Sequence, residues 1–274
     1  MIRSEMKQKL IEAARTDERI VGLIDYGSGN QGRDDQWSDI DVDLFIRDAD
    51  FEAFERIWKS WAAQFGNLLL AYKGEVGHPW TVYEAVPVPL RVDFDFHRES
   101  EIEQMLSWPY SPKSLELMVW YDDSGGRITA CAQQLVGQSL HPRDIATTFE
   151  RVSGDFWYYV LFVFSKWKRG QGWLARQTFH FVVMNNLLAL LRLEADALEN
   201  WQGSISPWNI EHTLSPARLS QLESCIPASG IASLKQSLVA AAQIGYDACE
   251  QLALRHGWQW PQVLAEQTLA VISE

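Results

Sequence analysis

The chain reads as an α+β domain, a mixed β-sheet flanked by helices, followed by an all-α helical bundle. Three observations carry this. Apolar periodicity alternates between two and 3.6 residues over the first half and becomes helical almost throughout the second. The polar, Pro-containing stretch Gly137 to Asp144 separates the two patterns, which puts the boundary at residue 140 and gives domains 1–140 and 141–274. Charge follows the same division: residues 1–150 hold 15 basic and 26 acidic side chains, and residues 151–274 hold 9 and 10.

In the first half, Ile2, Met6, Leu10, Ile11 and Ala14 lie at helical spacing, and Ile20 to Tyr26 is a strand-like run leading into a Gly-rich turn. Ser38 to Ile46 alternates as a strand. Phe51, Phe54, Ile57, Trp58 and Trp61 mark an amphipathic helix, and Leu68 to Tyr72, Trp80 to Val86 and Pro89 to Phe96 are further strands. In the second half, Ile145 to Trp167, Trp173 to Leu198, Ala217 to Cys225, Ile231 to His256 and Pro261 to Ile272 are helical, with Gly170, Gly172, Gly203, Gly230 and Gly257 as breaks. The 13 tryptophans are mostly expected in the core.

A net charge of −12 over 274 residues disfavours polyphosphate backbones and anionic membrane surfaces, so no nucleic-acid or membrane partner is expected. Cys131, Cys225 and Cys249 form no C-x-x-C pair and suit reduced thiols. The first 20 residues lack the apolar core of a signal peptide, and the longest apolar run, Phe156 to Phe164, falls far short of the roughly 20 residues that span a bilayer. A cytoplasmic protein is expected.

The informative stretch is Tyr26 to Phe45, YGSGNQGRDDQWSDIDVDLF. Nine acids between Asp34 and Glu55 face one base, Arg47. Strand alternation puts Asp39, Asp41 and Asp43 on one face, where neighbouring carboxylates repel unless they share a cation, and Mg²⁺ suits oxygen donors. Gly27 permits close approach of the backbone to a ligand, and Ser28 offers a hydroxyl and an amide to phosphate oxygens. The strand Leu90 to Phe96 brings Asp93 and Asp95 on one face, either able to complete a carboxylate trio and accept a proton from an attacking hydroxyl. Neither a P-loop, a G-x-G-x-x-G fingerprint nor an H-E-x-x-H zinc motif occurs. Lys166, Lys168, Arg169 and Arg176 fall within eleven residues free of acids and are a source of positive charge for a triphosphate or a solvated helix face. For His97, beside the acidic strand, a hydrogen-bonded structural role is favoured over a site role.

A hydrophobic strand, Gly-Ser, a ten-residue spacer, an opening D-x-D strand and a later acidic strand resemble the nucleotidyltransferase superfamily that includes DNA polymerase beta. Asp17-Glu18-Arg19-Ile20, YGSGNQGRDDQWSDID, Tyr72-Lys73-Gly74-Glu75, Asp93-Phe94-Asp95-Phe96, Tyr121-Asp122 with Gly125, Lys168-Arg169-Gly170 and Ile272-Ser273-Glu274 resemble, nearly end to end, the larger two-domain lincosamide nucleotidyltransferases. Streptomycin and other aminoglycoside adenylyltransferases share the first motif. The resemblance implies a nucleotidyltransferase fold, transfer of AMP from ATP or another NTP to a hydroxyl of lincomycin or clindamycin, Mg²⁺ dependence, and a homodimer formed through the helical half. It implies Asp39 and Asp41 as metal ligands, Gly27 and Ser28 as the phosphate-holding turn, and Asp93 as general base and further metal ligand; from the acid-free basic stretch, Lys168 and Arg169 are added as nucleotide-binding candidates. Where the related lincosamide enzyme has glutamates at the second ligand and the base, Asp41 and Asp93 stand here, each one methylene shorter, with Asp95 the substitute base. An aminoglycoside acceptor is the alternative, since a polycation is drawn to the acidic half. A non-catalytic regulatory or antitoxin module is a third reading, weakened by the presence of all three carboxylates.

Overall fold

Strands β2 (Ile40–Ile46) and β5 (Leu90–Arg98) run side by side in parallel at the centre of the sheet in the computed structural model, with Asp41 opposite Asp93 and Asp43 opposite Asp95. Both alternate strictly in sequence. Ile40, Val42 and Leu44 with Val92, Phe94 and Phe96 face one apolar cluster, while the intervening positions carry the acids. Residues 2–75, 77–199, 201 and 206–274 are described, so Gly203, read above as a break, lies outside them.

The chain divides into two compact units, Met1–Ser139 and Leu140–Glu274. In the first, helix α1 (Arg3–Thr16), β1 (Ile20–Asp25), β2, α2 (Phe51–Ala63), β3 (Leu68–Lys73), β4 (Pro79–Tyr83) and β5 follow in chain order. A 3₁₀ run, Glu99–Ser107, then leads to α3 (Leu115–Met118), β6 (Val119–Asp122) and α4 (Arg127–Leu135). The six strands lie in the order β3-β4-β5-β2-β1-β6, antiparallel except for the β2–β5 pair, so the expected mixed sheet flanked by helices is observed. Met6 and Leu10 of α1 and Phe54, Trp58 and Trp61 of α2 pack on one sheet face. Ile102 and Met105 of the 3₁₀ run and Ile128, Cys131 and Leu135 of α4 join Val21, Ile24 and Phe45 in a second cluster. Apolar packing thus ends at Phe45 on the acid-bearing face of β2.

The second unit is helical: α5 (Ile145–Lys168), α6 (Gly172–Thr178), α7 (Met184–Glu194), α8 (Ile210–Thr213), α9 (Pro216–Glu223), α10 (Ile231–His256) and α11 (Gln262–Ser273). Asp144 caps α5 by accepting from the Thr147 amide at 3.1 Å, and Ser215 caps α9 with Pro216 in its first turn. A π turn, Phe179–Val183, interrupts the helix expected to be continuous from Trp173; α6 and α7 continue on either side of it. Phe149, Phe156, Trp157, Phe179, Leu187, Leu191, Leu238 and Leu252 anchor the core of this unit. The tryptophans are less uniformly internal than expected: Trp58, Trp61, Trp120 and Trp157 are buried, whereas Trp37 and Trp173 stand in solvent. Among the described residues no helix is long and apolar enough to cross a membrane.

Candidate active site

The site begins where β1 ends. Asp25 is buried and uses its Oδ1 to accept from the amides of Gly27 at 2.9 Å and Asn30 at 3.2 Å, which folds the chain back at Tyr26-Gly27-Ser28. The Asn30 side chain donates to the Gly27 carbonyl at 2.7 Å, and the Tyr26 amide donates to the Asp41 carbonyl at 2.9 Å, pinning the turn to β2. The approach is so close that a Cβ at position 27 would lie 2.0 Å from Asp41 Oδ2. Only glycine fits there. Ser28 Oγ is buried beside this contact and has no hydrogen-bond partner.

The β2–β5 register supplies the acids. Asp39 precedes the first residue of β2 rather than opening the strand, and its carbonyl accepts from Arg3 Nε at 3.1 Å. Carboxylate oxygens of Asp39, Asp41 and Asp93 nevertheless lie within 4.8 Å of one another. Burial, reinforced by the charges of Asp39, Asp93 and Asp25, pushes Asp41 up to about 7. Burial and the Asp39 charge raise Asp93 as well, opposed by Arg91 and His78. Arg91 pairs directly with Asp39. A cleft of about 180 Å³ opens over Asp41 and Asp93, lined also by Tyr26, Asp43, His78, Trp80 and Asp95.

Three converging carboxylates and an unpartnered buried hydroxyl are a donor set for a hard, oxygen-preferring dication next to a phosphate. Mg²⁺ fits it. The geometry therefore brings together Gly27, Ser28, Asp39, Asp41 and Asp93. Asp95 is placed outside the trio, facing Asp43 across the sheet with His78 Nδ1 at 3.1 Å. His97 Nε2 meets Asp43 Oδ1 at 2.8 Å, a hydrogen-bonded histidine as favoured above. Lys168 and Arg169 close helix α5 in the other unit, where Lys168 Nζ lies over the Phe164 and Trp167 rings.

Sequence reasoning passed over Asp25, Arg91 and Arg3. Asp25 stands two residues before Gly27 and five before Asn30, the spacing of an Asx turn, which is a readable signal. Arg91 shares the strand face of Asp93 at a period of two, also readable. Arg3, which reaches Asp34 at 2.6 Å and Asp25 at 3.8 Å from α1, has no local signal.

A model of the streptomycin adenylyltransferase family matches residues 2–273. The chain belongs to that family. Among solved structures it is similar to an aminoglycoside 6-adenyltransferase from Bacillus subtilis, at 16% identity over 99% of this chain and 98% of that one, TM-score 0.46. It is also similar to a nucleotidyltransferase-like protein from Exiguobacterium sibiricum 255-15, at 13% identity over 98% and 87% of the two chains, TM-score 0.37. Comparison with curated proteins gives no match. Membership of the streptomycin adenylyltransferase family makes this an antibiotic-type nucleotidyltransferase and agrees with the sequence resemblance at that level.

Proposed function

We propose that the protein transfers AMP from ATP to a hydroxyl of an aminoglycoside of the streptomycin class, releasing pyrophosphate. The observation that carries the reading is the Asp39–Asp41–Asp93 trio set against the Gly27–Ser28 turn with its unpartnered hydroxyl. Asp39, Asp41 and Asp93 would hold Mg²⁺, which when bound supplies Lewis-acid charge to the phosphate oxygens. The protein's own groups do the rest. The Ser28 hydroxyl donates to a phosphate oxygen, and Gly27 keeps the backbone out of its way. Asp93, half-buried at the cleft and raised by burial, is suited to take a proton at neutral pH. The acceptor oxygen forms a bond to the α-phosphorus as its proton passes to Asp93, and the bond from α-phosphorus to the bridging oxygen breaks as pyrophosphate departs. The acidic cleft favours a polycationic acceptor.

A lincosamide acceptor is the second reading, favoured by the motifs that run from Asp17 to Glu274. Incubation with Mg²⁺, ATP and either streptomycin or clindamycin, followed by mass spectrometry, separates the two. An adenylyl group on streptomycin supports the first, and one on clindamycin alone replaces it with the second. The homodimer implied by the sequence resemblance is read out by light scattering.

A further inference from the structure

Beyond the carboxylate trio, the same strand faces carry a second cluster that the transfer reaction does not use. Asp43 and Asp95 face each other across β2 and β5, and His97 follows Asp95 by two residues on the same face. Their donor atoms lie within 4.8 Å of one another. His78, from the connection between β3 and β4, adds a second imidazole, 3.1 Å from Asp95 Oδ2.

Asp43 is the informative member. Only 4% of its side chain is exposed, its Oδ1 is engaged with His97 Nε2, and its Oδ2 has no hydrogen-bond partner. A buried carboxylate oxygen left unsatisfied is costly, and a bound ion is one of the few things that would offset the cost. Asp43 lines the open cleft, which gives a ligand access. The His97 ring is held in place by a stack on Phe45, centroids 5.2 Å apart, and by Trp108 at the same separation.

We propose that Asp43, Asp95, His97 and His78 form a second cation site that takes a transition-metal dication of the zinc class. Two imidazole nitrogens and two carboxylates are a borderline donor set, poorly matched to Mg²⁺ and well matched to Zn²⁺. Donors about 2.0–2.2 Å from a tetrahedral centre stand about 3.3 Å apart. The separations 2.8 Å (His97–Asp43), 3.1 Å (His78–Asp95) and 3.8 Å (His97–Asp95) bracket that value; Asp43, Asp95 and His97 form the converged set, and His78, in contact with Asp95 alone, swings in as the fourth donor. A metal held there ties the His78 segment to the sheet and fixes one wall of the cleft.

The test is calorimetric titration of ZnCl₂ into metal-stripped full-length protein with Mg²⁺ in excess, together with the visible spectrum of the Co²⁺-loaded form. One equivalent of Zn²⁺ and a tetrahedral Co²⁺ spectrum are expected. Asp95→Asn and His78→Ala, both at half-buried positions, each weaken Zn²⁺ binding at least tenfold, and Asp41→Asn leaves it unchanged. No Zn²⁺ uptake in excess Mg²⁺ overturns the proposal. So does Zn²⁺ binding that survives in Asp95→Asn and His78→Ala but vanishes in Asp41→Asn, which would put the ion on the trio. An Asp95→Asn effect on the acceptor KM without any Zn²⁺ binding overturns it too, assigning the cluster to a cationic group of the acceptor. Because the readout is metal binding, it stands or falls independently of which antibiotic is modified.

Discussion

Replacing Asp41 by asparagine makes the metal-free protein more stable while removing its activity. Asp41 is squeezed between burial and the charges of Asp39, Asp93 and Asp25, and its carboxyl rises from 3.8 to about 7. A carboxyl with a raised folded-state pKa binds its proton more tightly in the folded than in the unfolded chain. Its contribution is therefore intact below pH 3.8 and is lost as pH climbs through about 7. Between those limits the loss amounts to about 4 kcal/mol, trimmed to roughly 2–4 kcal/mol by solvent reaching the cleft. Asparagine is nearly isosteric and never ionises, so Asp41→Asn recovers most of it at pH 7.5, a rise in melting temperature of roughly 5–15 °C for a unit of this size. The assay is thermal melting by circular dichroism in EDTA at pH 5.5 and 7.5, repeated with Mg²⁺. The wild type melts lower at pH 7.5 than at pH 5.5, the variant's difference is much smaller, and Mg²⁺ raises only the wild type. AMP transfer falls at least a thousandfold in the variant. A variant that melts at or below the wild type at pH 7.5 in EDTA refutes the reasoning, because Asp41 would then be held by a partner rather than strained by its neighbours.

Gly27→Ala drives a methyl into Asp41 Oδ2, and steady-state assays should show kcat reduced at least a hundredfold with the far-ultraviolet spectrum intact. Gly245→Ala in α10 places a Cβ 2.3 Å from the Phe156 ring, an overpacking that costs about 1–3 kcal/mol by urea denaturation. Burial pushes the Cys249 thiol up to about 12 and Cys225 up to about 11, so iodoacetamide at pH 8 should label neither until the chain is unfolded, as peptide mass mapping reads directly. Asp122 accepts from both the amide and the hydroxyl of Ser124 and of Thr129, and Asp122→Ala should cost about 1–3 kcal/mol in the same denaturation experiment.

The elements that carry the chemistry were legible because their residues alternate without interruption. IDVDLFI and LRVDFDFHR each put apolar groups on one face and acids on the other, and that is what the sheet uses. Short elements were not legible. β6 has four residues with only Trp120 buried, and α4 starts from Gly126, a left-handed N-cap residue with no side chain, its first-turn amides being met instead by Ser124 and Asp122 further upstream, so neither shows the usual local signature. The pairing of Asp43 with His97 depends on the β2–β5 register, which strands separated by more than forty residues do not disclose locally. The position of Asp95, outside the trio and beside His78, has the same origin.

The parallel β2–β5 pair has a consequence for synthesis. Asp93 is made 52 residues after Asp41, which at roughly 5–20 residues per second is a delay of about 3–10 s. Until β5 arrives, β2 has only β1 beside it and its acids lack their third member. A nascent chain thus has no complete carboxylate trio before most of its first unit has been translated.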